Sequence, residues 1–200
     1  MFPTLNLNQE YIKAVHTPSD INLLLPTIQW YASRCSHITE MGVRKVVSTW
    51  AFLASKPKKL VCYDIHKQPE IDTVYPIAKE NGIDFHFIEA DVLKVDIEET
   101  DLLFIDTLHI YEQLKAELKL HAPKVRRYLM FHDTVTYGYK DEPTSWQTPE
   151  IMQNYKQGGV QGLMPVIHEF LRENENDWEV VCTYPYSKGL TVLARKTPMQ

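Results

Sequence analysis

The sequence predicts an α/β protein with five parallel strands, a C-terminal antiparallel hairpin and helices on both faces of the sheet. Three observations predict it. Short apolar runs alternate with helical patterns between residues 37 and 133, as right-handed strand–helix–strand crossovers require. The strand runs are almost continuously apolar, the mark of parallel strands buried on both faces. Near the end, WEVVCTYP (178–185) and GLTVLAR (189–195) are separated by a short turn, the spacing of a hairpin.

The elements follow in order. Residues 1–19 carry Pro3 and Pro18, show no sustained period and read as an arm. A helical pattern starts at Asp20, its expected cap, and runs through Ile21, Leu24, Leu25, Ile28, Tyr31, Ala32 and Cys35. Pro26 either kinks this helix or marks its first turn. HITEMG (37–42) reads as a strand and STWAFLAS (48–55) as a helix with Ser48 as cap. KLVCYDI (59–65) is a buried strand ending in an acid, and EIDTVYPIAKENG (70–82) is a helix stopped by Gly82. IDFHFIEAD (83–91) and DLLFID (101–106) are strands. Residues 110–124 form an amphipathic helix with Tyr111, Leu114, Leu118 and Ala122 on one face. YLMFHD (128–133) is the fifth strand. Residues 134–158, with Tyr137, Tyr139, Pro143, Trp146, Pro149 and Tyr155, have no period and read as an insertion loop, either a lid or binding segment or a disordered stretch. Gly158-Gly159 ends it, and a helix follows through Val160, Leu163, Ile167, Phe170 and Leu171. The expected organisation is an arm and lead-in helix (1–36) followed by a single domain (37–200).

Composition narrows the function classes. The 200 residues are 44% apolar and 24% charged, an ordinary globular mix that supplies a core. With 21 Lys plus Arg against 26 Asp plus Glu the net charge is −5, which argues against a nucleic-acid-coating surface. No apolar run approaches the ~18–20 residues that span a bilayer. The opening MFPTLNLNQEYIKAV lacks the basic and apolar blocks of a secretion signal. Cys35, Cys62 and Cys182 are odd in number and far apart, which fits a reducing compartment and a cytoplasmic protein.

In an open parallel sheet, ligands bind beyond the carboxyl ends of the strands. Every expected parallel strand ends there in an acid or an imidazole: Glu40 beside Gly42, Asp64, Asp91, Asp106 followed by His109, and His132-Asp133. One shared polar cleft is the economical reading. Taken singly, Asp64 and Asp91 are as well explained as caps, while capping the helix from Ile110 is the lesser alternative for His109. His132-Asp133 resists a purely structural reading, because unpaired charge at a buried strand end is costly. Asp106 and Asp133, on neighbouring tips, come within reach of one Mg²⁺, a cation that favours oxygen ligands. His132 is then a third ligand, a general base or an orienting group. An acid at the second strand's end suits a ribose diol. The glycine fingerprint GxGxxG and the phosphate loop GxxxxGK[ST] are both absent, so the ligand need not carry a pyrophosphate.

The runs ITEMGVRKVVST, YDI, EAD and DLLFIDTLHIYEQLKAELKLHAPKVRRYLMFHDT resemble class I S-adenosylmethionine-dependent methyltransferases. More narrowly, they resemble the small-molecule O-methyltransferase branch that includes cephalosporin-hydroxylase-type and macrolide or rhamnosyl O-methyltransferase proteins. FID-x-x-H-x-YE followed by FHD is the most specific part. GGV…EFL…W…GLTVLAR is similar to that group's last helix and hairpin. The resemblance covers about residues 37–195, with 134–157 outside it. It implies a Rossmann-like seven-stranded methyltransferase sheet. It also implies that Glu40 and Gly42, with Ser48 in the same motif, hold the cofactor's amino-acid part, that Asp64 binds the ribose and Asp91 contacts adenine. Asp106 would serve cofactor and catalysis, Asp106, His132 and Asp133 would hold Mg²⁺, and His109 would lie close to the reacting centre. The family pattern E-x-G-x-x-x-G-G-S-T departs here at Val46 and Val47. Thr107 replaces a glycine, and so does the pair Arg126-Arg127. Glycine tolerates positive φ and valine almost never does. Either the loop takes another course or the cofactor site has decayed.

The expected reaction is methyl transfer to a hydroxyl of a small polar acceptor, sugar, polyketide or catechol-like. Mg²⁺ would lower the hydroxyl pKa, His109 or His132 would take the proton, and the 134–157 loop would close over the site. Two rivals stand beside it: a binding module with weakened cofactor affinity, and a metal-dependent hydrolase built on Asp106, His132 and Asp133. No nucleic-acid or membrane partner is expected. The lead-in helix, with Leu23, Leu24, Leu25 and Trp30, packs either on its own sheet or on a second copy of the chain.

Overall fold

A computed structural model describes residues 6–143 and 161–197. Its strands are β1 (His37–Met41), β2 (Lys59–Asp64), β3 (Asp84–Glu89), β4 (Thr100–Ile105), β5 (Val125–His132), β6 (Trp178–Tyr184) and β7 (Leu190–Arg195). They form one sheet in the order β3-β2-β1-β4-β5-β7-β6. Strands β1 to β5 run parallel, and β7 inserts antiparallel between β5 and β6. These are the five parallel strands and terminal hairpin the sequence predicts. The order reverses at β1, whose neighbours are β2 and β4, which makes the carboxyl ends of β1 and β4 the switch point where such sheets bind ligands.

The helices are α1 (Leu7–His16), α2 (Leu25–Ala32), α3 (Val47–Ala54), α4 (Ile71–Glu80), α5 (Tyr111–His121) and α6 (Leu163–Glu173). Successive strand residues face opposite ways, so each central strand feeds two cores. Leu102 and Phe104 pack beneath α2, α3 and α4 with Ile38, Phe52 and Leu60. Leu103 and Ile105 pack beneath α5 and α6 with Leu118, Phe131 and Ile167. Phe52 and Phe104 meet edge to face at 5.4 Å. Tyr111, Leu114, Leu118 and Ala122 are all buried, as the 110–124 periodicity requires.

The first 36 residues depart from expectation. The supposed arm contains α1, capped by Asn6, whose side chain accepts from the Asn8 N–H at 2.9 Å. Leu7, Tyr11, Ala14 and Val15 recur at helical spacing and pack on the core, with Leu7 alone of the four buried. Asp20 caps nothing: the Ser19 hydroxyl accepts from the Asn22 N–H at 3.0 Å, and Asp20 pairs with Arg44 and Lys188. Pro26 sits in the first turn of α2, where its missing N–H has no helical partner to lose. Leu24, Leu25 and Ile28 are fully buried in this chain's own core, whereas Leu23 and Trp30 are exposed. Ser48 is not a cap either, because α3 begins at Val47 and Val46 holds the cap position. Trp146, Pro149, Tyr155, Gly158, Gly159 and Val160 of the insertion and its exit lie outside the described residues. No helix among the described residues is long and apolar enough to cross a membrane.

Candidate active site

The rim begins where β1 runs into residues 42–46. The Gly42 N–H donates to the Tyr63 carbonyl at 2.9 Å and the Asp106 N–H to the Met41 carbonyl at 2.8 Å, which carries the sheet pairing past the strand ends. Gly42 has φ +83°, and a Cβ there would lie 2.0 Å from the Asp106 carbonyl oxygen. Only glycine lets the loop lie against the tip of β4.

Val46 corrects the sequence expectation. It adopts φ 58°, the left-handed backbone its side chain should exclude, and Arg44 does the same at φ 43°. Such strain costs roughly 1–3 kcal/mol and persists only where the surroundings over-determine it. Two features do so here. The Asp64 Oδ2 accepts from the N–H groups of Val43 and Arg44 at 2.8 and 3.0 Å, gripping the loop. The Val46 side chain is buried, and with Val47 and Trp50 it lines a cavity of about 330 Å³ beside α1. The loop thus takes a glycine-like course without the glycine.

That grip changes the role of Asp64. Its Oδ1 also accepts from the His66 N–H at 3.1 Å. Three of the roughly four acceptor positions of a carboxylate are therefore filled by backbone. One remains open. Asp91 follows the capping alternative, accepting from the Leu93 N–H at 3.0 Å at the start of a short 3₁₀ turn (Val92–Lys94). Glu40 and Ser48 do not reach the rim. Glu40 is fully buried and accepts from Ser48 Oγ at 2.5 Å, Thr49 Oγ1 at 2.8 Å and Cys62 Sγ at 3.1 Å. Burial pushes its carboxyl up to about 7, against these bonds.

The remaining residues converge. The tips of adjacent β4 and β5 bring Asp106, His109, His132 and Asp133 together. Asp106 Oδ1 lies 3.1 Å from both His109 Nε2 and His132 Nδ1. Asp133 Oδ2 lies 3.4 Å from His109 Nε2 and 3.2 Å from His132 Nδ1. The outer nitrogens are held as well: His109 Nδ1 faces Glu142 Oε2 at 2.9 Å, and His132 Nε2 donates to the Ser187 carbonyl at 2.9 Å. Tyr137 stacks on the His109 ring at 5.2 Å. Because every ring nitrogen faces an acceptor, both rings favour the doubly protonated form. Burial opposes the charge, yet the carboxylates win, raising His109 to about 9 and His132 to about 10. Burial likewise pushes Asp106 up, and the two imidazoliums outweigh it, holding its carboxyl well below the usual range.

Asp133 carries two further marks. Its backbone is left-handed at φ 58°, and its buried Oδ1 meets no donor. An orphaned buried oxygen beside other oxygen and imidazole donors suits a hard divalent cation. Asp106, His109 and Asp133 offer ligand atoms within 4.8 Å of one another. The sequence grouped His132 with the two acids. The structure keeps it against both and brings His109 into the same set, with the Ser187 carbonyl and Glu142 orienting the rings from behind. Glu142 and Ser187 carried no sequence signal, one lying in an aperiodic loop and the other acting through its backbone, whereas Tyr137 reads only as one aromatic of the insertion loop.

A pH dependence of stability follows. Groups whose folded pKa is raised bind protons more tightly when folded. For His109 and His132 that stabilisation is complete below the unfolded value of 6.5 and is lost as pH rises through about 9 and about 10. The metal-free chain should therefore melt at progressively lower temperature between pH 7 and 10. A flat calorimetric profile across that window would contradict the two imidazoliums.

No protein-family model matches the chain, and no curated protein does. Solved structures match almost its whole length. One is the 1,6-didemethyltoxoflavin-N1-methyltransferase of Burkholderia thailandensis with S-adenosylhomocysteine bound (TM-score 0.60, 14% identity, 96% of this chain and 87% of that one). A second is a Podospora anserina methyltransferase with the same ligand (TM-score 0.58, 15% identity, 95% and 87%). A third is the O-methyltransferase of Bacillus cereus, also in complex with it (TM-score 0.56, 14% identity, 98% and 93%). The chain thus has the Rossmann-like fold of the class I methyltransferases. At such low identity the likeness is one of fold.

Proposed function

We propose that this chain is an S-adenosylmethionine-dependent methyltransferase acting on a hydroxyl of a small polar acceptor, with a divalent cation held by Asp106, His109 and Asp133. The observation that carries the reading is the convergence of these residues and His132 on the rim where the Gly42 loop closes on Asp106. Neighbours of this fold are crystallised with S-adenosylhomocysteine, which supports the choice of cofactor. The residues here fit that group through the loop backbone, with Asp64 keeping one acceptor position for the ribose.

The cofactor, when bound, supplies an electrophilic methyl group on a sulfonium. The chain does the positioning. Gly42 and Val46 set the loop, and Glu40 ties the first turn of α3, which follows the loop, to β1 through Ser48 and Thr49. His132 Nδ1 is the inward atom at which a hydroxyl proton would be held, since His132 Nε2 is committed to Ser187 and His109, with Nδ1 on Glu142, has only Nε2 to offer the cation. Tyr137 covers one face of His109 and shields it from water.

Titration calorimetry tests the reading. S-adenosylmethionine and S-adenosylhomocysteine should each bind saturably in the micromolar range. Asp64→Ala should weaken both by about 10–100-fold, the worth of a charged hydrogen bond and a gripped loop. Silence at millimolar ligand sinks the proposal. The tight engagement of Asp64 by backbone favours one second reading, a metal-dependent hydrolase using the same cluster. That reading requires activity with metal alone and an Asp64→Ala variant that stays active.

A further inference from the structure

Glu117 stands on the inner face of α5, between Leu114 and Leu118, where an apolar residue would pack without cost. It is fully buried. Burying a carboxyl there is expensive unless its oxygens are bonded. Oε1 accepts from Thr107 Oγ1 at 2.6 Å and from Gln113 Nε2 at 2.8 Å, while Oε2 meets no donor. Burial pushes this acid up to about 7 despite those bonds. Glu117 also lines a cavity of about 10 Å³ with Thr107, Leu108, His109 and His132. That volume is close to the space of a single water.

Thr107 is the informative partner. It lies in the turn 106–109, whose two ends are Asp106 and His109. The Asp106 end is tied to Met41 and the His109 end to Glu142. The middle of the turn is tied to α5 through the Thr107 hydroxyl. We infer that Glu117 is a positioning residue: by anchoring Thr107 it fixes the 106–109 turn so that the Asp106 carboxylate and the His109 imidazole meet at one point. This adds a residue to the centre proposed above and rests on that reading only for the use the centre is put to.

The test needs no metal, cofactor or acceptor, so failure of methyl transfer leaves it intact. Side-chain ¹⁵N signals of histidine are recorded in the metal-free protein. Wild type should show His109 ring signals displaced from those of a free imidazole by the contacts to Asp106 and Glu142. Glu117→Leu should move the His109 signals towards those of a free imidazole and leave His86, on exposed β3, unchanged. Glu117→Gln keeps an acceptor for Thr107 and should restore the wild-type pattern. Thr107→Val removes only the hydroxyl link and should reproduce the Leu variant, deciding the matter if Glu117→Leu does not fold. Unchanged His109 signals in folded Glu117→Leu or Thr107→Val overturn the inference. Glu117→Gln behaving like Glu117→Leu overturns it too, because the bond to Thr107 would then be irrelevant.

Discussion

Gly42→Ala should destabilise the folded chain by about 3–5 kcal/mol, the sum of left-handed strain and forced overlap. The overlap is with backbone: the new Cβ would stand 2.0 Å from the Asp106 carbonyl oxygen and 2.6 Å from its carbon, atoms that no side-chain rotation can move aside. The loop must lift off β4 or Asp106 must retreat from the centre. At roughly 2–4 °C per kcal/mol for a chain of this size, the melting temperature should fall by about 10 °C. Gly82→Ala is the internal control. Gly82 also has positive φ, at +70°, but nothing lies within 4 Å of the Cβ position, so only the conformational cost of about 1 kcal/mol applies. Equal losses for the two variants would refute the close approach of loop and β4.

Asp106→Asn should have the larger effect on function. Asp106 lies 3.1 Å from both imidazoles, closer than the 3.4 and 3.2 Å of Asp133, which they also share. Asparagine keeps the shape and removes the charge. His109 and His132 should then titrate closer to the ordinary histidine value, and the fall in stability between pH 7 and 10 should flatten. Cation binding, followed by Mn²⁺ relaxation, should weaken at least ~100-fold, beyond the 10–100-fold typical of losing a group that merely orients a ligand. Methyl transfer should drop by about 10²–10⁴, the range for losing a group that sets proton transfer. An Asp106→Asn protein that binds Mn²⁺ with wild-type affinity would remove the metal from the proposal.

The sheet was legible because its strands are short apolar runs cut by acids and glycines, and parallel strands buried on both faces leave that trace. The convergence of Asp106, His132 and Asp133 was legible for a related reason: strand ends are readable, and strand ends make the rim. What a strand end does not reveal is the direction of its side chain. Glu40 shares its face with Ile38 and points under α3, where its carboxylate accepts from Ser48 and Thr49. Val46 misled in another way. The steric rule against positive φ describes a residue alone, and the grip of Asp64 together with a buried side chain outweighs it. Helix α1 carries a short stripe, Leu7, Tyr11, Ala14 and Val15, that packs on the core but is only about two turns long, so it reads as an aperiodic arm in the sequence. Glu142 and the Ser187 carbonyl escaped because neither belongs to a repeating pattern.

The Ser187 carbonyl behind His132 has a consequence for how the centre comes into being during synthesis. The β6–β7 turn, with Ser187 and Lys188 both in left-handed backbone, is made some fifty residues after His132 and Asp133. Until it emerges, β5 has no β7 beside it and the His132 ring has nothing to hold its outer nitrogen. A ribosome-bound chain stopped before residue 178 would carry all four inward-facing groups without the carbonyl that holds His132 Nε2 or the strand that pairs with β5.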